Sequence, residues 1–125
     1  MLPSTHRLRR PAEFGLTVRR GVRAGRSTVV VHLLVDNEGD ATPLVGFVVS
    51  KAVGNSVQRN LVKRRLREIV RPLLGAHSPV AFPDHTRAVV RALPAASTAT
   101  FAELGRDVQA ALEKAVQRAA SVRPA

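Results

Sequence analysis

The stretch that decides the fold runs from Lys51 to Arg71 and reads KAVGNSVQRNLVKRRLREIVR. Placed on a helix at about 100° per residue, its apolar side chains form one stripe: Val62, Leu66, Ile69, Val70 and, just beyond it, Leu73. Asn55 or Ser56 can cap this helix, and Pro72 with Gly75 ends it. The pattern predicts a helix over about residues 56–71 with one face packed on a core.

The opposite face of this helix carries almost only positive charge. Its members are Asn60, Lys63, Arg64, Arg67 and Arg71. The whole stretch holds seven of the 20 basic residues of the chain and a single acid, Glu68. Solvated helix faces usually alternate in sign, and unpaired like charges destabilise a helix. The face therefore predicts an anionic partner, and forked arginine donors suit the phosphates of a nucleic acid.

The N-terminal half predicts one helix and two or three strands. A helix over about residues 11–20 begins at Pro11 and ends near Gly21. The near-continuous apolar run 27–35 predicts a strand covered on both faces, and a further strand is possible around residues 22–26.

A turn-rich acidic segment, residues 36–43, follows the apolar run. It predicts an exposed hairpin loop that leads into a second strand over residues 44–50, antiparallel to the first.

The C-terminal half predicts a third strand over residues 87–93, parallel to the second because a helix separates them. A capping box of Thr100 and Glu103 then opens a final helix that reaches about residue 119. We expect one nucleic-acid-binding domain over residues 1–120, with a basic flexible arm at 1–10 and a frayed tail at 121–125.

Composition narrows the class of partner. The chain has 125 residues, a formal net charge of +11 and a sequence pI of about 11.8. Such an excess favours nucleic acid or an acidic membrane surface over a merely soluble basic protein. There is no cysteine, no signal-like segment and no apolar run of the length that spans a bilayer. We therefore expect a cytoplasmic protein without a membrane partner.

Catalytic chemistry is not indicated. The four histidines are scattered, and His32 is more simply a half-buried structural residue than a ligand. Asp36, Glu38 and Asp40 sit in a turn rather than in a metal-binding arrangement. We expect no catalytic residue and no metal site in the protein itself.

The motif Lys51-x-x-Gly54-Asn55-x-Val57-x-Arg59-Asn60-x-x-Lys63-Arg64-x-x-Arg67-Glu68 closely resembles the signature helix of the protein subunits of bacterial ribonuclease P. The strand Val45–Lys51, the pair Glu13-Phe14 and the opening Phe101-x-Glu103-Leu104 fit the same family. One residue departs from it. Leu61 stands where the family usually has arginine, which removes an RNA contact or moves it to Arg65.

The resemblance implies a particular fold and reaction. The fold is an α+β arrangement, a small α/β sandwich in which helices pack on a mixed sheet, similar to the second domain of a ribosomal protein of the small subunit, with a left-handed crossover. The elements read from the chain fit it in the order α-β-β-(β)-α-β-α, where the strand in parentheses is the possible one around residues 22–26. The catalyst is an RNA that uses Mg²⁺ to release the 5′ leader of precursor tRNA. Both RNAs are expected partners of the chain, and DNA is not.

The resemblance also implies two sets of site residues. The catalytic RNA would contact Lys51, Asn55, Arg59, Asn60, Lys63, Arg64, Arg65, Arg67 and Arg71. The leader would enter a cleft between the first helix and the sheet, lined by Phe14 and Val18 and by Val29 and Val31, or by His32 in another strand register.

Two alternatives remain open. A ribosomal or general RNA-binding protein of the same fold would carry a similar charge pattern. A DNA-binding helix in the major groove fits less well, because only Gln58 and Asn60 offer base-reading groups on this helix.

Overall fold

A computed structural model describes residues 6–39, 41–75 and 77–121. Three helices and four strands follow one another in the order α1 (Pro11–Arg20), β1 (Val22–Gly25), β2 (Val29–Val35), β3 (Leu44–Val48), α2 (Ser56–Leu73), β4 (Thr86–Ala92) and α3 (Phe101–Ser121). Short 3₁₀ turns, Lys51–Val53 and Pro94–Ser97, precede α2 and α3. All three predicted helices are confirmed, and so is the additional strand around residues 22–26.

The four strands form one mixed sheet in the order β1-β2-β4-β3. β4 pairs antiparallel with β2 and parallel with β3. The predicted parallel arrangement of the last two strands is therefore confirmed.

The predicted hairpin between β2 and β3 is wrong, because β4 lies between these strands. Residues 88–90 of β4 are all buried, as suits a central strand covered on both faces. The tight hairpin joins β1 to β2 instead, where Arg26 N–H donates to the Val29 carbonyl at 2.8 Å.

The helices cover both faces of the sheet. Val31 of β2, Leu66 of α2 and Leu112 of α3 belong to one buried cluster, so α2 and α3 share a face. On the other face Phe14 of α1 packs across Gly46 of β3. Side chains alternate along a strand, so Val29, Val31 and Leu33 point toward α2 and α3, and His32 points toward α1.

Local sequence signals account for α2 and α3. The apolar residues of the predicted α2 stripe are all buried: Val62, Leu66, Ile69, Val70 and Leu73. Reciprocal hydrogen bonds form a capping box between Asn55 and Gln58 at 2.8 and 2.9 Å. The box of Thr100 and Glu103 is also present, at 2.8 and 3.1 Å.

Two residues of the predicted flexible arm, Arg7 and Leu8, contact the sheet. Leu8 is only 4% exposed, and its N–H donates to the Val45 carbonyl at 3.0 Å. Arg7 forms a parallel bridge with the same Val45. Burial of the Leu8 side chain offsets part of the conformational entropy that is lost when this segment becomes ordered. Polar side chains alone would not offset it. The rest of the predicted arm, residues 1–5, and most of the predicted tail, residues 122–125, lie outside the described residues.

Two buried polar contacts connect distant parts of the chain. Arg87 of β4 is 2% exposed, and its Nε lies 3.4 Å from a Glu13 carboxylate oxygen on α1. Asp107 of α3 accepts hydrogen bonds from the backbone N–H and hydroxyl of Thr28 at 3.2 and 2.7 Å. These contacts fix α1 and α3 against the sheet, because breaking them would leave buried polar groups unsatisfied.

Candidate nucleic-acid interface

The outer face of α2 forms a continuous basic surface. We call Asn60, Lys63, Arg64, Arg67 and Arg71 the α2 patch. Asn60, Arg64 and Arg71 are exposed, whereas Lys63 and Arg67 are half-buried. Burial of the opposite stripe fixes the rotation of the helix, so these side chains stay on one side of the molecule.

Within the described residues, no carboxylate lies within 4.0 Å of a cation of the α2 patch. Glu68, the one acid of α2, makes no ion pair of that length with these residues either. The cations are therefore available to an external anion. Phosphate oxygens match guanidinium donors in both charge and geometry.

The other predicted contact residues lie in different surroundings. Lys51 is exposed in the turn before α2. Asn55 uses its side-chain oxygen in the cap of α2, accepting from Gln58 N–H at 2.9 Å. Arg59 is half-buried, and its Nε has no hydrogen-bond partner in the described chain. Arg65 lies on the flank toward α3 and donates to the Ala99 carbonyl at 3.4 Å.

Val57 belongs to the motif on α2, but the sequence reasoning assigned no exposed apolar position to it. Val57 is 76% exposed and lies one turn before half-buried Leu61 on the same side of the helix. Arg65 follows Leu61 by one further turn, and part of its side chain is engaged by the hydrogen bond to the Ala99 carbonyl. The valine could have been noticed, because it falls outside the apolar stripe.

The sheet side of the predicted leader cleft needs correction. Val29 and Val31 are both 0% exposed and belong to the core beneath α2 and α3. They cannot line a surface cleft on the α1 side. A shift of one residue exchanges the two faces of a strand, and of the three β2 residues predicted for the cleft, His32 is the one on the α1 face. On α1 itself Phe14 is half-buried and Val18 is 43% exposed.

His32 occupies an unusual position on this face. It is 5% exposed, and neither ring nitrogen has a hydrogen-bond partner among the described residues. Burial lowers the pKa of His32 below its ordinary value, and the nearby charges of Arg91 and Arg23 lower it further. The imidazole is therefore held neutral, with one acceptor and one donor unsatisfied.

We predict that His32 makes the fold sensitive to acid. Because the folded chain disfavours protonated His32, the unfolded chain binds more protons as the pH falls below about 6.5. The contribution of neutral His32 to the free energy of unfolding is fully present above that pH. It is lost as the pH falls through the lowered pKa of His32 in the folded chain. Chemical denaturation at pH 7.5 and 5.5 should show a smaller loss for His32→Gln than for the unmodified chain. An exposed-histidine variant, His77→Gln, is the control, and an unchanged loss in His32→Gln would contradict the prediction.

The described residues contain neither a metal-binding cluster nor a membrane-spanning helix. No three His, Asp or Glu side chains among them lie close enough together to hold a metal ion. No helix within them is long and apolar enough to cross a bilayer.

Sequence comparisons connect this chain to one family. The sequence model of the Ribonuclease P family matches residues 2–116. A "Ribonuclease P protein component" from Kocuria rhizophila is 51% identical over 120 residues, covering 96% of this chain and 100% of the relative. One from Streptomyces griseus is 49% identical, covering 91% of this chain and 94% of the relative.

Solved structures give the same result. The ribonuclease P protein of Staphylococcus aureus is 25% identical with a TM-score of 0.73, covering 88% of this chain and 94% of that one. The ribonuclease P protein of Thermotoga maritima is 25% identical with a TM-score of 0.69, covering 86% and 96%.

Proposed function

This chain belongs to the ribonuclease P protein family, the protein subunits of an RNA-based endoribonuclease, and from that premise we propose how it engages its RNA partners. A subunit of this family has a catalytic RNA as its partner. The α2 patch is the surface that we assign to that RNA. The observation that carries the assignment is the row of cations on α2 without carboxylate partners among the described residues.

The proposed contacts to the catalytic RNA are mainly electrostatic. Arg64, Arg67, Arg71 and Lys63 bind backbone phosphates, and Asn60 adds a directional hydrogen bond. Lys51 extends the surface before the helix. Arg59, Arg65 and Asn55 act nearer the edge of the interface, because burial or an internal hydrogen bond already engages part of each side chain.

We place the 5′ leader of precursor tRNA on the α1 face of the sheet. Phe14 and Val18 supply the helix side, and His32 supplies the sheet side in place of Val29 and Val31. Exposed Arg23 and Arg91 flank His32 and offer charge to the leader phosphates. Among the residues assigned to the leader, Phe14 alone carries a phenyl ring. Base stacking therefore contributes less to leader binding than phosphate contacts do.

In this proposal the Mg²⁺ ions of the cleavage reaction are held mainly by the RNA. The described residues provide no cluster of three metal-binding side chains, so no chemical step is assigned to a protein-bound ion. The protein acts by positioning the substrate and by neutralising phosphates that would otherwise repel one another. We propose the cytoplasm as the place where it works.

A ribosomal or general RNA-binding role is the alternative to exclude. The chain is purified from its own cells, with and without ribonuclease treatment, and the RNA bound to it is sequenced. We expect the RNA subunit of ribonuclease P to be enriched. Recovery of ribosomal RNA alone would count against the proposal.

The salt dependence of binding should report how many phosphates the protein neutralises. Removing one cation that binds a phosphate lowers the slope of log K against log salt by about 1. We expect Arg64→Gln to reduce the slope for catalytic RNA by about that amount. Lys114→Gln, an exposed change on α3, is the control and should leave the slope unchanged. Equal slopes for Arg64→Gln and the unmodified chain would show that Arg64 does not bind a phosphate in the interface.

A further inference from the structure

Arg87 of β4 is a buried cation on the α1 face of the sheet. In the strand register it pairs with Leu34, and His32, two residues earlier on β2, therefore points to the same face. Two residues along a strand span about 7 Å. Arg87 thus lies beneath α1, one such step from the residue that we assign to the sheet side of the leader surface.

Backbone groups of the sheet and of the loop between β2 and β3 hold the Arg87 guanidinium. One of its Nη groups donates to the Thr86 carbonyl at 3.0 Å and to the Thr42 carbonyl at 3.2 Å. Gly39 passes so close that a methyl group added there would meet the guanidinium. Because these partners are backbone rather than mobile side chains, the orientation of Arg87 is fixed.

The loop that holds Arg87 is itself tied to the start of β4. His85 has a φ of 66°, in the left-handed region that residues other than glycine seldom adopt. Its N–H donates to the Ala41 carbonyl at 2.8 Å, and its carbonyl accepts from Asp36 N–H at 2.9 Å. Its Nδ1 lies 3.0 Å from the Gly39 carbonyl oxygen. Arg87 is therefore held in place by contacts that do not involve α1.

Glu13 connects α1 to this fixed cation. A carboxylate oxygen of half-buried Glu13 lies 3.4 Å from Arg87 Nε. The next residue, Phe14, packs its ring across Gly46 of β3. Two adjacent residues of α1 thus contact two different strands, which fixes both the position and the rotation of the helix. A buried ion pair is weak evidence for stability, so a role in fixing the arrangement explains this one better.

We propose that Arg87 is a positioning residue for recognition of the leader. Through Glu13 it sets the distance between Phe14 and Val18 on α1 and His32 on the sheet, and it does not itself touch RNA. This inference rests on the leader surface of the proposed function. Groups that bind a ligand together lose affinity when one of them is displaced.

The test compares two substrates of the holoenzyme that is reconstituted from catalytic RNA and the full chain. The measured quantity is the ratio of the dissociation constants of mature tRNA and of precursor tRNA with its leader. We expect Glu13→Gln to lower this preference for precursor by about fivefold, the scale of one lost hydrogen bond.

The matched control is Glu38→Gln, which removes an exposed acid from the loop between β2 and β3. Both variants make the chain more positive, and added positive charge alone strengthens binding to RNA. A loss of leader preference in Glu13→Gln is therefore opposite in sign to the effect of charge. Glu38→Gln should show no such loss.

A second variant displaces Arg87 without changing any charge. The methyl group of Gly39→Ala would push against the guanidinium from the loop side, and we expect the same loss of preference for precursor. Gly105→Ala is its control, because the added methyl group comes no closer than 3.9 Å to Ile69. If Gly39→Ala does not fold, Glu13→Gln carries the test.

Binding of catalytic RNA to each variant is measured in parallel, at a temperature at which urea denaturation shows the chain to be folded. We expect this binding to be unchanged, because the α2 patch is untouched. An unchanged preference for precursor in Glu13→Gln would overturn the role of Arg87. So would an equal loss of affinity for catalytic RNA, which would indicate a general structural defect. Absence of any preference in the unmodified holoenzyme would instead overturn the proposed leader surface, and this inference with it.

Discussion

Reversing the charges of Arg64 and Arg67 together is expected to weaken binding to catalytic RNA by about 100-fold or more while the chain stays folded. Both side chains lie on the outer side of α2, and no described carboxylate pairs with them. Hydrogen bonds to charged groups contribute about 1.5–3 kcal/mol each. Two such hydrogen bonds correspond to about two or more orders of magnitude in affinity, and the introduced glutamates add repulsion.

The matched control for this variant is the double reversal of Arg106 and Lys114. Both residues are exposed on α3, so the variant has the same change in net charge at a different surface. We expect it to lose far less affinity at physiological salt. Equal losses in the two variants would mean that only the overall charge matters, and unfolding of the Arg64 and Arg67 variant would mean that these residues are structural.

The second large effect is expected on the opposite side of the same helix. Leu66 is 0% exposed at the centre of the core, so Leu66→Ala should lower the free energy of unfolding by about 2–5 kcal/mol. Urea denaturation measures this loss. The affinity of the molecules that remain folded should change little, because Leu66 does not reach the outer surface.

Val57→Ala is the control for Leu66→Ala. Val57 is apolar and lies on the same helix, but it is 76% exposed. We expect its free energy of unfolding to change by no more than about 0.5 kcal/mol. A small effect of Leu66→Ala would contradict the assignment of the buried stripe.

Features that depend on neighbouring residues were predictable from the sequence. The buried stripe and the basic face of α2 follow from a period of 3.6 residues. The capping box at Thr100 follows from a hydroxyl three residues before Glu103. The α2 patch belongs to this class, because one helix places all of its members.

Features that depend on distant residues were not predictable in the same way. The insertion of β4 between β2 and β3 depends on the burial of all strands at once. In β2 almost every side chain is apolar, so the pattern did not distinguish the face of Val31 from that of His32. The pairing of Asp107 with Thr28 spans 79 residues, and a single acid on a helix does not indicate such a partner.

The most direct test of the central claim is reconstitution with catalytic RNA at low Mg²⁺. The measurement is the rate of 5′ cleavage of precursor tRNA by the RNA alone, with the chain, and with the variant reversed at Arg64 and Arg67. We predict that the chain restores cleavage that the RNA alone performs poorly, and that the variant does not. No stimulation by the folded, unmodified chain would contradict the claim.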